Sequence, residues 1–558
     1  MVHDKAGLAI SFNGEVYNYL EIKIDLENLG HQFHTTSDTE VILHAWEQWG
    51  AACLHRFNGM FAFVILDYNK QKLYAVRDRF GVKPLYYFKG ESAVYLTSEI
   101  KQIRTSPDYK FELNEPIARK FLATGSVDHS NDTFYKNIQS LPCGHYLTMD
   151  LSKDTNEFTI TKWYTLVPKK WTGTFEEAVI EFRNILTDAV SLRLRSDVTV
   201  GSCLSGGLDS SSIVCIAANL LKAKGDFAGQ ETVTACYDAE RYDEWKFAAE
   251  VIKQTNARPH RTFPSFKQLQ DEIDAFIWHQ DEPTGSTSQF SQWAVFKATN
   301  EAGLKVMIDG QGADEQLAGY SGNDIPFYTG LMKKMKISSL IEESKHHKKE
   351  SGAIPKGFLL AAFQLSMGKV VTNMLPKKLR VTNSPVVSYV HNTEPSKMYE
   401  EHALSLQENL FRQLYSEPLP ALLRYEDHNS MAWSVESRTP FMDYRLLEFT
   451  MGLPERYLLK NGVRKHILRE AMHNIIPLAI ENRRDKMGFV TPEELWLKNE
   501  GRDWFNDEID KACRQFGGSV LDTAHTKKYV ADIMEDKRTF DFVPWRIICF
   551  SKWYNSIN

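Results

Sequence analysis

The hexapeptide Ser205-Gly206-Gly207-Leu208-Asp209-Ser210 stands directly after the apolar run Val198 to Leu204. A strand that ends in a glycine pair and opens a helix makes a pocket for an anion. The glycines let the backbone approach a ligand, and the free N–H groups of the first helical turn point at it. Asp209 sits where a carboxylate can hold the metal ion that accompanies a nucleotide's phosphates. In the helix that follows, Ser210, Ser211 and Ser212 are expected to supply capping hydroxyls, and Ile213, Val214, Ile216 and Ala217 the buried stripe. The loop lacks the Lys-Ser or Lys-Thr pair of the common phosphate loop, so it is a different device.

A second glycine-and-acid loop follows another apolar run: Ile308-Asp309-Gly310-Gln311-Gly312-Ala313-Asp314-Glu315. Asp314 can reach a metal shared with Asp209, and Gly310 lets the backbone approach a nucleotide. Acids in such loops ordinarily cap helices or turns. The repeated strand, glycine and acid pattern favours a site. Downstream, Glu436-Ser437-Arg438-Thr439-Pro440-Phe441-Met442-Asp443 carries a Glu and an Arg that, taken alone, read as a core ion pair. The basic loop Arg483 to Phe489 offers Lys486, which is placed to neutralise charge on a phosphate or acyl group. Near the start, Asn13-Gly14-Glu15 follows a strand, and Asp38 opens a helix. Singly, these are a hairpin turn and an N-cap.

The elements that must position these groups fall into two patterns. Up to about residue 165 the chain is β-rich. Leu8–Phe12, Met60–Asp67, Lys72–Arg77, Leu85–Phe88 and Ala93–Thr97 are short apolar or alternating runs bounded by turn residues, with a helix at Asp38–Trp49. Residues Val167–Thr172 form the linker. From about 175, helix Phe175–Leu194, strand Val198–Leu204, strand Thr232–Tyr237, helix Asp243–Gln254 and strand Lys305–Ile308 predict a parallel sheet covered on both faces. Ligands of such sheets bind at the carboxyl ends of the strands, where both glycine loops lie. Residues 325–420 read as a polar insertion, and the remainder as helical.

Length and composition bound the rest. A chain of 558 residues has room for two or more domains. With 43% hydrophobic and 25% charged residues, the composition is that of a water-soluble globular protein. A net charge of −6 gives no footprint for nucleic acid or a membrane surface. No apolar run reaches membrane-spanning length, and the first residues do not form a secretory signal. The seven cysteines lack CxxC or Cys/His ligand spacing, which argues against a zinc site or a disulfide framework and for a reducing compartment. The expected location is cytoplasmic.

The hexapeptide resembles the pyrophosphate loop of ATP pyrophosphatases. Taken in order, NGEVYN, TSDTE, FNGMFAFVILD, RDRFGVKPLYY, LSGGLDSS, DGQGADE, NSMAWSVESRTPFMD, RKHILRE and RDKMGF resemble glutamine-hydrolysing asparagine synthetase over nearly the whole chain. The resemblance implies two domains of α/β and α+β class. Residues 1–165 would be a class II glutamine amidotransferase-like domain, an Ntn-type β-sandwich that is incomplete here. Residues 175–558 would be a doubly wound parallel α/β ATP pyrophosphatase domain with a helical C-terminal part. It assigns Asn13, Gly14, Glu15 and Asp38 to the glutamine head group. Leu204, Ala235, Asp309 and Gly310 fall around AMP, with Ser205, Gly206, Gly207, Asp209 and Ser210 as the phosphate loop. Asp209 and Asp314 fall at Mg2+, and Lys486, Gln311 and Glu436 form the candidate catalytic set.

Two departures from the family pattern stand out. The family's glutaminase nucleophile is a cysteine freed at position one, whereas Met1 is followed here by Val2, and Cys53 lies between a helix and a strand. The chain as written is therefore expected not to hydrolyse glutamine, through a mis-set start or truncation, and its first sheet is expected to have an exposed edge. Gln311 stands where family members carry a glutamate. An amide cannot serve as a base, though it can orient a substrate.

The implied activity is ATP-dependent conversion of aspartate to asparagine through an acyl-AMP, with glutamine or free ammonia as nitrogen source. ATP and Mg2+ are the implied cofactors, the substrates are small molecules, and a homodimer is left open. The rivals are an adenylating synthetase for another carboxylate and a non-catalytic nucleotide-binding regulator.

Overall fold

The computed structural model describes residues 1–557, apart from 154, 226–229, 352–362, 364–388, 392–404 and 485–489. The first half is built on two antiparallel sheets. Six strands pair in the order Val2–His3, Leu8–Val16, Gly59–Asp67, Lys72–Arg77, His145–Asp150 and Phe158–Lys162. Three more pair as Val94–Thr97, Tyr86–Lys89 and Ile138–Ser140. Ala62, Ala75, Leu85, Tyr87, Leu141 and Leu147 form one buried cluster joining the two sheets. On the opposite face of the larger sheet, helix Asp38–Trp49 buries Val41, Ile42, Ala45 and Trp46, the stripe its spacing predicts. The edge strand is only two residues long and covers Leu8 and Ala9.

The second half is a five-stranded parallel sheet. Its order is Arg258–Thr262, Glu231–Ala235, Val200–Cys203, Val306–Ile308 and Glu436–Arg438. In chain order this is 3-2-1-4-5. The strand order reverses between Val200–Cys203 and Val306–Ile308, and a doubly wound sheet opens a crevice at that point. Both of those strands are buried along their whole length, as a sheet covered on both faces requires. Helices Phe175–Arg193 and Leu208–Ala223 pack together, while Ser288–Glu301 packs on the outer strands. The segment read as a polar insertion contains helices Asp324–Lys333, Ile337–Ser351 and Leu406–Tyr415.

Buried polar contacts tie the halves together. Lys83 Nζ donates to Asp427 Oδ1 at 2.7 Å, with both side chains buried. Asn58 Nδ2 donates to Asp443 Oδ2 at 2.9 Å. Asp443 also takes Arg193 and Arg445. Burial would raise its carboxyl, but these partners hold it down at about 2.

Candidate active site

The two glycine loops leave neighbouring strands and face one another across the crevice. Gly206 adopts φ +71°, and a Cβ there would sit 2.5 Å from the backbone nitrogen of Ala248, so only glycine lets this turn lie against its neighbour. The helix begins at Leu208 with Gly207 as its cap, and no side chain caps it. This corrects the reading of Ser210 to Ser212 as capping hydroxyls. They lie inside the first turns, and Ser212 Oγ donates back to Leu208 O at 2.6 Å. The loop is braced from within instead: Gly207 N donates to Ser205 Oγ at 3.3 Å, and Ser205 N to Ser210 Oγ at 3.3 Å.

A cavity of about 480 Å³ opens between the loops, lined by Ser205, Gly207, Asp209, Ser210, Asp309, Gly310, Gln311 and Asp314. Its far wall is basic: Arg464, Lys465, Arg469, Arg483 and Arg484. A smaller recess beside it holds Leu204 and Ala235 with Val233 and Tyr237, and Ser205 lines both spaces. The chamber thus has a glycine loop on one side and cations on the other, with a narrow recess of mixed lining beside it.

Lys465 is the residue that sequence reasoning missed. Its ammonium lies 2.5 Å from Asp209 Oδ2 and 2.7 Å from Asp314 Oδ1. Burial works against its charge, but the two carboxylates override it and hold its pKa above the ordinary lysine value. The pair of acids therefore does converge on one cation position. Two carboxylates so placed would suit Mg2+ in company with phosphate oxygens, in place of the ammonium. Gly319 closes the cradle: a Cβ there would fall 1.7 Å from Asp314 Oδ1 and 2.4 Å from Lys465 Cε.

Asp309 lies on the floor of the cavity. Its amide donates to Arg438 O at 2.9 Å, and its carboxylate accepts the Gly310 N–H at 2.5 Å. Behind it stands Glu426, also buried, which accepts from Gln292 and Ser437. Burial raises both carboxyls, and for Glu426 the neighbouring Asp309 charge adds to the effect. Among the described residues, Asp209, Asp309 and Asp314 are the carboxylates on the cavity wall.

Gly206 sits just behind the lining and accepts a hydrogen bond from Arg483 Nη1 at 3.1 Å. Arg483 also reaches Glu244 at 2.6 Å. It thereby fastens the start of the basic loop to the glycine loop. Lys486 lies outside the described residues.

Glu436 is not in this cavity, which corrects its assignment to the catalytic set. Strand alternation puts Glu436 and Arg438 on the same face, and the cavity opens at the other end, after Arg438. Glu436 binds Arg438 Nε at 2.6 Å, the core ion pair that its neighbourhood in the sequence suggests. The Arg438 guanidinium continues to the carbonyls of Arg193 and Arg195 and lies 3.7 Å from Glu15.

That contact leads into a second polar cluster, in the N-terminal half. Gly14 has φ +142°, and a Cβ there would fall 2.1 Å from Met60 O. Asn13 Nδ2 donates to Ser98 Oγ at 3.1 Å, and Asp38 Oδ2 accepts from Val16 N at 2.9 Å. Burial and then Asp38 push the Glu15 carboxyl up to about 7. Asn13, Gly14, Glu15 and Asp38 thus occupy one neighbourhood, as their motifs suggest. Cys53 is not part of it: the residue is fully buried in the 3-10 turn Gly50–His55, and burial drives its thiol far up.

The asparagine synthase family model matches residues 181–555, and a glutamine amidotransferase domain model matches residues 1–164. The chain belongs to the asparagine synthase family. It is 28% identical to glutamine-hydrolysing asparagine synthetase 1 of Bacillus subtilis (strain 168), over 98% of this chain and 85% of that protein. It is also 28% identical to synthetase 3 of the same organism, over 96% and 83%. Amidase chyE of Penicillium rubens is 27% identical over 87% of this chain and 77% of its own length. Among the described residues, no helix is long and apolar enough to cross a membrane.

Proposed function

We propose that this member of the asparagine synthase family converts aspartate to asparagine, using ATP to form a β-aspartyl-AMP that ammonia then opens. The supporting observation is the crevice itself: a glycine loop, two acids on one cation position, and a basic wall at a sheet's switch point. Adenine would take the slot at Leu204 and Ala235. The pyrophosphate would lie on the N–H groups of residues 205–210, facing Lys465 and the arginines. Asp209 and Asp314 would hold Mg2+, which supplies charge neutralisation at the phosphates.

Each residue then has a stated task. The glycine loop and the basic wall hold the β- and γ-phosphates as the leaving group, which exposes the α-phosphorus to the acceptor carboxylate. Attack there replaces a poor oxide leaving group with AMP. Ammonia adds to the resulting acyl carbon, and a cation placed as Lys486 is in the sequence offsets the oxyanion. Gln311 can only orient. Asp309, on the cavity wall with the buried Glu426 behind it, would be the acid–base candidate. The nitrogen arrives as ammonia, released from glutamine in the amidotransferase half or taken from solution.

The test is a product assay. The protein is incubated with MgATP, aspartate and either ammonium or glutamine. Asparagine and AMP in equal amounts support the reading. AMP release that follows another carboxylate and ignores aspartate would replace it with the related synthetase activity, and no nucleotide turnover with any carboxylate would leave a binding protein.

A further inference from the structure

We propose that the N-terminal half carries a structural site for a first-row transition-metal cation, with zinc as the best fit, built from His3, His31, His44 and Glu47. Neither the ATP crevice nor the cluster at Glu15 uses these residues. His3 Nε2 lies 3.0 Å from Glu47 Oε2. His44 Nδ1 lies 3.5 Å from the same oxygen, and His31 Nδ1 3.6 Å from it. His31 Nδ1 and His44 Nδ1 are 3.0 Å apart. The ligand atoms of His3, His44 and Glu47 all fall within 4.8 Å of one another.

The separations among Glu47, His3 and His44, and those of His31 from Glu47 and His44, are close to the spacing of ligands around one ion. Zinc binds imidazole nitrogen at roughly 2.0–2.1 Å and carboxylate oxygen at a similar distance, so its ligands stand about 3.3 Å apart. Three imidazoles and one carboxylate suit zinc or its first-row neighbours rather than magnesium or calcium, which take oxygen. The outer groups agree. Gln48 Oε1 lies 2.9 Å from His31 Nε2, and it can only accept there, so Nε2 carries the proton and Nδ1 presents its lone pair to the cluster. Glu40 lies 4.0 Å from His44 Nε2 and favours the same tautomer for that ring. Two nitrogen lone pairs 3.0 Å apart repel unless a proton or a metal lies between them.

The ligands come from three elements: the two-residue edge strand, the loop after helix Tyr19–Asn28, and one face of helix Asp38–Trp49. Spacings of 28, 13 and 3 residues carry no sequence signal, which is why a search for Cys and His motifs passes over them. His3, His44 and Glu47 supply three ligands, and His31 beside them would complete the set by a small shift of its ring, closing the site as structural zinc sites are closed. It would pin the edge strand to the helix beside the strand that carries Asn13 to Glu15.

The test uses the full chain without a histidine tag, stripped with chelator and titrated with Co2+, then with Zn2+. The expected results are one equivalent bound, an intense tetrahedral visible band for Co2+, and displacement by Zn2+. His3→Ala and Glu47→Gln, both on accessible side chains, should weaken binding at least tenfold, and Gln48→Ala by about tenfold through the lost contact to His31. Carboxylate-dependent pyrophosphate exchange should stay unchanged in all three. Absence of a tetrahedral band at micromolar cobalt, or equal uptake by wild type and His3→Ala, would overturn the proposal.

Discussion

The ammonium of Lys465 lies 2.7 Å from the carboxylate of Asp314, although 151 residues of chain separate them. Lys465 heads helix His466–Ala471 in a left-handed conformation, φ 55°, which turns its side chain back into the crevice. The same ammonium takes Asp209 from the opposite loop at 2.5 Å. One side chain therefore fixes the spacing of both glycine loops before any nucleotide arrives. Replacing Lys465 by alanine should lower carboxylate-dependent ATP–pyrophosphate exchange by about 100-fold or more, in line with losing a preorganised charged group. Circular dichroism should show the fold retained.

Gly319 gives a sharper test because it makes no polar side-chain contact of its own. A methyl group there would overlap Asp314 Oδ1. The acid must move by an ångström or more, and misplacements of that size cost about 100-fold in rate. Gly319→Ala should lose exchange activity by roughly that factor. Gly322→Ala, with nothing within 4 Å of the added carbon, should keep it.

How far could the crevice be foreseen? Each glycine loop follows a strand without polar alternation, so its place at the end of a buried parallel strand was legible. So were the acids at the first helical turn. Glu436 was misplaced because the stretch around it reads as helical, whereas the structure makes Glu436–Arg438 the last strand of the sheet. Lys465 lies in the quoted stretch RKHILRE but was given no role, and Glu426 was missed, because charged residues in helical surroundings look like surface or core and only the fold brings them to the loops. The histidines of the N-terminal half were invisible for the same reason.

The Lys83–Asp427 pair joins the two halves next to Glu426 and is buried on both sides. Asp427 holds the Lys83 ammonium charged against the opposing effect of burial. Lys83→Met should cost about 3–5 kcal/mol, measured by denaturant unfolding, because it leaves a buried carboxylate without its cation. Adding Asp427→Leu to that variant should recover part of the loss. A double variant no better than the single would show that the pair is not the source of the cost.

Glu15 sets a pH dependence. Its folded pKa of about 7 lies above the ordinary 4.5, first through burial and then through Asp38. Between those values the folded state holds a proton that the unfolded state has lost. Stability from this group is therefore present below about pH 4.5 and falls as pH rises toward 7. Glu15→Gln should remove that slope. Melting temperatures from pH 5 to 8 should fall less steeply for the variant than for the wild type.

The most direct measurement follows oxygen. Aspartate labelled with 18O in its side-chain carboxylate is supplied with MgATP and ammonium, and the phosphorus products are read by 31P NMR. Attack on the α-phosphorus places one labelled oxygen in AMP and none in pyrophosphate. Label appearing in orthophosphate, with ADP as the nucleotide product, would contradict an adenylating crevice.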